Sequence, residues 1–317
     1  MKAIVIEHAG GPAALQLKEV PTPQVKPGWS LVKVRGFGIN RSEIFTRNGE
    51  SPTVKFPRIL GIECVGEIAE TTDAERLPVG QKVASLMGGM GRAFDGGYAQ
   101  YALLPNKQII PVATALSWAE FAAIPETYFT AYGALHNAHL NRAHSLLVRG
   151  ATSGVGSAAI KLAKAMDPTI KIAGSTRHQE KFAELKAIGC DEPLLDQAGK
   201  VQTDAKFDAI IELVGTATLT DSLSHLNPRG YCCLVGGLAN QWTVPEFDPF
   251  VIPTGASLTS FGSGAEITPE RFSNMMRLIE NHHIDVKPRK TFDLAHTGDA
   301  QAALDEPDSF GKVVVLV

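Results

Sequence analysis

The chain has 317 residues, about twice the ~150 of a typical domain, so it is long enough to build two cores. Apolar residues make up 44% of it and charged residues 20%, which excludes a disordered, collagenous or coiled-coil protein. The 30 Lys and Arg against 33 Asp and Glu leave a net charge of −3, and this balance gives no reason to expect a nucleic-acid binder.

Near Met1 the only apolar run is Ala3 to Ile6, which is far short of the h-region of a secretion signal. No stretch reaches the ~18 uncharged apolar residues that a membrane span needs, so no membrane association is expected. The cysteines, Cys64, Cys190, Cys232 and Cys233, form no CxxC pair. Together these features predict a cytoplasmic protein with buried, unpaired thiols. Cys232 and Cys233 would face opposite sides of a strand and make a poor disulfide.

Up to about residue 118, short segments rich in Val, Ile and Thr are broken by Gly and Pro. They predict strands over Lys2–Glu7, Ser30–Gly36, Cys64–Ala69, Lys82–Ser85 and Tyr98–Leu104. From Trp118 onward, helical patterns alternate with short apolar runs at Ser145–Arg149, Ile170–Gly174, Ala209–Val214 and Tyr231–Val235. Such runs suit strands buried on both faces of a parallel sheet. After about Leu258 the β texture returns, with one helix over Pro269–Asn281 and a last strand over Lys312–Val317. The expected architecture is α/β. A β-rich domain is formed by residues 1–118 and 258–317, with the tail folding back onto it, and a dinucleotide-binding domain spans 119–257.

The densest chemical signal follows the first buried strand. Leu146-Leu147-Val148-Arg149 runs into Gly150-Ala151-Thr152-Ser153-Gly154-Val155-Gly156 and then a helix over Ser157–Met166. A strand, a small-residue turn and a helix N-terminus let backbone N–H groups approach a pyrophosphate, which makes Ser153, Gly154, Val155 and Gly156 candidate cofactor contacts. The spacing departs from strict GxGxxG, so a plain tight turn is the competing reading. The second strand ends at Ser175, Thr176 and Arg177, with Lys181 four residues beyond, and no Asp or Glu is present to hold a ribose 2′-hydroxyl. Hydroxyl and cationic donors suit a 2′-phosphate, so NADPH is the expected cofactor; the alternative is that Arg177 and Lys181 are solvated charges opening a helix.

Six motifs occur in order along the whole chain: Gly38-Ile39-Asn40-Arg41-Ser42-Glu43, Leu60-Gly61-Ile62-Glu63-Cys64-Val65-Gly66, Gly96-Gly97-Tyr98-Ala99-Gln100-Tyr101, Ala122 to Glu126 with Tyr128 to Tyr132, the glycine-rich turn, and Gly311-Lys312-Val313-Val314-Val315. By these the chain resembles the medium-chain dehydrogenase/reductase superfamily, and within it the zinc-free quinone oxidoreductase branch that includes zeta-crystallin. The resemblance implies a GroES-like first domain and a Rossmann-type, doubly wound second one. Members with catalytic zinc carry a Cys in the stretch occupied here by Gly38 to Asn40 and a His where this chain has Ile62. Neither the three ligands of a catalytic zinc nor the cysteine cluster of a structural one is visible in the sequence, so no metal is expected. Without a Lewis acid, alcohol oxidation is disfavoured, and hydride delivery to a quinone is the expected reaction.

The resemblance also implies a cleft position for Asn40, as a polar guide to the acceptor, where the residues alone would allow a turn Asn. It sets Thr130 beside the nicotinamide, and Phe261 and Ser263 at its carboxamide. Leu213, Val214 and Gly215, then Gly236, Gly237 and Leu238, close buried strands at the carboxyl edge of the sheet, where cofactors lie in doubly wound folds. Some relatives carry a tyrosine where this chain has Phe45, so a tyrosine acid is not expected. A homodimer is expected through an edge strand at Trp242-Thr243-Val244. Two alternatives stay open: an NADPH-dependent C=C reductase of enones or 2-alkenals, and a non-catalytic, crystallin-like NADPH binder.

Overall fold

The computed structural model describes the backbone of residues 1–317 and every side chain but those of Ala265 and Glu266. The chain divides into two compact units, one of Met1–Glu126, Ile267–Ser273 and Asp285–Val317, the other of Thr127–Glu266 and Asn274–Ile284.

The first unit is β-rich. Its long strand Trp29–Gly38 pairs antiparallel with three others, Glu63–Glu70, Tyr101–Pro105 and Val313–Leu316. The strand Val313–Leu316 comes back across the second unit's sequence to pair with the end of Trp29–Gly38. A separate three-stranded sheet holds Lys2–Ile6 between Gln16–Glu19 and Arg58–Ile59. Side chains of Ile4, Ile6, Val32, Phe37, Tyr98 and Val315 share one buried cluster beneath these sheets. Tyr98 lies outside the strand predicted for it. Its N–H reaches Leu60 O at 3.0 Å and its carbonyl accepts from Ile4 N at 2.8 Å, so its backbone is spent on two neighbours before the ladder begins at Tyr101.

The second unit carries six parallel strands in the spatial order Glu192–Gln197, Lys171–Thr176, Ser145–Arg149, Phe207–Glu212, Leu226–Leu234, Ser257–Ser260, with the short strand Lys200–Val201 antiparallel at one edge. By sequence this is order 3-2-1-4-5-6, the doubly wound arrangement, and its topological switch point lies between Ser145–Arg149 and Phe207–Glu212. Leu146, Leu147 and Val148 are all fully buried, as the unbroken apolar run requires of a strand covered on both faces. The helix Gly154–Met166 lays Ala158, Ala159, Leu162 and Ala163 into the interior and ends at Asp167, in extended conformation before Pro168.

Trp242–Val244 is not a strand; the edge strand of this sheet is Ser257–Ser260. A parallel neighbour to Leu226–Leu234 needs a crossover of a dozen or more residues, and Trp242 follows that strand too closely to provide one. Left-handed Asn240 and Glu246 on either side break any extended run there. All four cysteines are buried free thiols, and among the described residues no helix is long and apolar enough to cross a membrane.

Candidate functional site

In the second unit the glycine-rich turn forms at the carboxyl end of Ser145–Arg149. Ser153 caps the following helix, its Oγ accepting from Gly156 N at 3.1 Å and donating to Gly150 O at 2.8 Å. Gly156 has to be glycine: a Cβ there would lie 2.5 Å from Gly150 O. No hydrogen-bond acceptor meets the amides of Gly154 and Val155 among the described residues, and no acid occupies the first turn of this 13-residue helix. Free N–H groups at the positive end of a helix dipole fit a dinucleotide pyrophosphate.

Around this turn the structure gathers the other strand ends. A Cβ on Gly150 would touch Leu238, Leu213 and Val214 at 3.3 to 3.5 Å, while Leu238 N reaches Leu213 O at 3.1 Å. Gly215 approaches Gly236 and Gly237 so closely that a Cβ on it would lie 2.9 and 3.0 Å from them. Ser175, expected as a 2′-phosphate donor, packs beneath this turn. Its buried Oγ accepts from Gly150 N at 3.3 Å and its carbonyl accepts from Ala151 N at 3.0 Å, so it braces the turn and presents no hydroxyl to solvent. Thr176 is likewise buried, its Oγ1 accepting from His178 N. Of the proposed 2′-phosphate donors, Arg177 is exposed and Lys181 is buried at the following helix. Thr130 lies buried on the helix Pro125–Asn137, whose Gly133 leaves the space that the Phe261 ring fills; Ser263 opens the helix Ser263–Glu266.

The first unit holds a buried polar cluster. Lys312 Nζ donates to Glu63 Oε1 at 2.8 Å and to Asn40 Oδ1 at 2.7 Å, and Asn40 Nδ2 donates to the same Glu63 oxygen at 2.8 Å. The other Glu63 oxygen accepts from Glu126 N. Gly38 makes room for this contact, since a Cβ there would fall 2.2 Å from Lys312 Cε. Asn40, expected in the cleft as an amide donor guiding the acceptor, has both ends of its side chain engaged by Glu63 and Lys312.

Beside it, Glu43 accepts from Ile62 N at 2.7 Å, Asn40 N at 2.8 Å and the Tyr98 hydroxyl at 2.8 Å. Burial pushes its carboxyl up to about 7 against these three bonds, helped by the nearby Glu63 charge. Tyr98 in turn accepts from Gln301, whose oxygen takes a bond from Arg47. Burial and the neighbouring carboxylates hold the Tyr98 phenol well above its ordinary value, and burial raises the Cys64 thiol to about 12. Glu43, Glu63, Tyr98 and Lys312 were all present in the motifs read from the sequence but received no role there. The spacing Asn40-x-x-Glu43, a capping-box pattern, was the one local signal available. Among the described residues no three His, Cys, Asp or Glu side chains converge as metal ligands.

Two family models match, the alcohol dehydrogenase GroES-like domain over residues 26–114 and the zinc-binding dehydrogenase model over residues 154–281. A quinone oxidoreductase of Pongo abelii is 31% identical over 247 residues, 74% of this chain and 73% of that protein. Acryloyl-coenzyme A reductase of Metallosphaera sedula is 27% identical over 263 residues, 75% of this chain and 77% of its own. A mycobacterial protein solved with NADPH superposes with a TM-score of 0.86 at 24% identity, each chain covered in full, and shares the fold. A β-rich GroES-like unit joined to a doubly wound dinucleotide fold defines a medium-chain oxidoreductase that uses NAD(P)H. Within that class, the chain belongs to the quinone oxidoreductase branch of the medium-chain dehydrogenase/reductase superfamily.

Proposed function

We propose that this protein reduces quinones with NADPH and without a metal. The observation that carries this reading is Asn40 locked between Glu63 and Lys312, in the stretch Gly38 to Asn40 where zinc-bearing relatives carry a Cys, with Ile62 where they carry a His. When bound, NADPH supplies a hydride, and with one proton from water a quinone becomes a hydroquinone. The residues of this chain then have only to bind and orient, because a quinone delocalises the charge it receives. The preference for NADPH rests on the exposed Arg177 at the end of Lys171–Thr176 and on the lack of an acid there.

The test is NADPH oxidation with a panel of acceptors. Ortho- and para-quinones should turn over fastest, enones more slowly, and saturated ketones and primary alcohols not at all. Alcohol oxidation with NADP⁺ would refute the reading. The similarity to acryloyl-coenzyme A reductase favours a second reading, reduction of an activated C=C bond, and enones outpacing every quinone would establish it. NADPH binding with no turnover of any acceptor would identify a binder. A homodimer is part of the proposal, with edge strand Ser257–Ser260 pairing to its twin; the same unit leaves Trp242 and Phe250 68% and 92% exposed. A monomer by light scattering at micromolar concentration would refute that part alone.

A further inference from the structure

The two strands flanking the switch point both end in a charge that is fully buried: Arg149 closes Ser145–Arg149 and Glu212 closes Phe207–Glu212, each 0% exposed. Arg149 Nε donates to Asp196 at 2.9 Å, Nη1 to Asp221 at 2.6 Å and to Ser222 Oγ at 3.0 Å, and Nη2 to Gly199 O at 2.7 Å. Ser222 Oγ in turn donates a hydrogen bond to Glu212 Oε2, which also accepts from Thr218 Oγ1 at 3.0 Å. The opposite oxygen, Glu212 Oε1, accepts from two backbone amides, Val214 N at 2.8 Å and Gly215 N at 2.9 Å.

Burying such charges costs more desolvation than their attraction commonly returns, and an apolar substitute of similar volume is often as stable, so stability is a weak reason for them to be there. What the arrangement fixes is geometry. One carboxylate, itself tied through Ser222 to a guanidinium, sets the height and direction of the peptide units just past the strand, at the edge where doubly wound sheets bind their ligands. We infer that Glu212, held by Arg149 and Ser222, is a positioning residue that presets the Leu213–Gly215 backbone for the dinucleotide. This rests on the reading that the second unit binds NADPH at that edge.

Two measurements judge it. In the ligand-free protein, residue-resolved hydrogen exchange should show the Val214 and Gly215 amides exchanging at least tenfold faster in Glu212→Ala than in the unaltered chain. In Glu212→Gln, which keeps an acceptor oxygen for them, exchange should stay within threefold. The dissociation constant for NADPH should rise at least tenfold in Glu212→Ala and less than threefold in Glu212→Gln, with kcat at saturating NADPH within twofold throughout. Unchanged exchange at both amides, unchanged affinity, or equal loss in the two variants would overturn the inference. Should Glu212→Ala not fold, Ser222→Ala, which removes one oxygen and cuts the link to Arg149, should raise exchange at the same amides about threefold, and unchanged exchange there would overturn it equally. If the unaltered protein fails to bind NADPH, the cofactor reading falls, while the exchange experiment still decides whether Glu212 sets the loop.

Discussion

Replacing Glu43 by Gln should change how stability depends on pH, in a direction set by burial. The carboxyl is fully enclosed and titrates at about 7, against an ordinary 4.5, so the folded state holds its proton more tightly than the unfolded state. Below about pH 4.5 both states are protonated and the group costs nothing. As pH rises toward 7 the unfolded chain releases its proton first, and native stability falls; above 7 the penalty is complete. A shift of this size corresponds to roughly 3 kcal/mol. An amide cannot titrate. The stability of Glu43→Gln minus that of the unaltered protein should therefore rise by about 3 kcal/mol between pH 4.5 and 7, then level off. Gln also puts an amide N–H where an oxygen now accepts, but that misfit adds a pH-independent offset and leaves the slope untouched. Urea unfolding at half-unit pH steps measures the difference. A flat difference would refute the reasoning, and a falling one would mean that the bonds from Ile62, Asn40 and Tyr98 outweigh desolvation and keep the carboxylate ionised.

Arg177→Ala should weaken NADPH binding by about tenfold to a hundredfold and leave NADH unaffected, because one charge-assisted contact is lost; fluorescence titration with both nucleotides checks this. Gly156→Ala should abolish nucleotide binding and lower the melting temperature, since its Cβ would meet Gly150 O at 2.5 Å. Asn40→Ala should cut kcat/KM for a quinone about tenfold, near 1.4 kcal/mol, without ending turnover. Prolonged chelation should leave the NADPH–quinone rate unchanged, with well under one zinc per chain by elemental analysis.

Where a pattern was local, the sequence displayed it. Ser145–Arg149 is apolar because both faces of its strand are covered, and Pro269–Asn281 follows helical spacing from a proline start; both form over the residues expected. Tyr98 reads as strand by composition but lies in a connection whose hydrogen bonds go to Leu60 and Ile4, partners that no short-range periodicity reveals. Trp242–Val244 has strand-like residues, and crossover geometry overrode them. Ser175 stands at a strand end, where a 2′-phosphate donor is expected, and the tertiary fold buries it with its Oγ accepting from Gly150 N, a contact that its place in the sequence does not reveal. Glu43, Glu63 and Lys312 escaped notice as a cluster because nothing in their spacing joins them. Arg149 and Glu212 did leave a trace, each being a charge that ends an otherwise apolar run.

The ion pair between Lys312 and Glu63 joins residues 249 positions apart, and every strand of the second unit's sheet is encoded between them. During synthesis, at roughly 5–20 residues per second, Glu63 leaves the ribosome on the order of 10–50 s before its cation exists. The second unit can close its sheet in that interval. The first cannot, because Val313–Leu316 has yet to pair with the end of Trp29–Gly38. Until Lys312 emerges, the nascent first unit carries Glu63 without its cation and a sheet edge still open at Trp29–Gly38. Its polar centre waits on a residue encoded beyond the whole of the second unit's sheet.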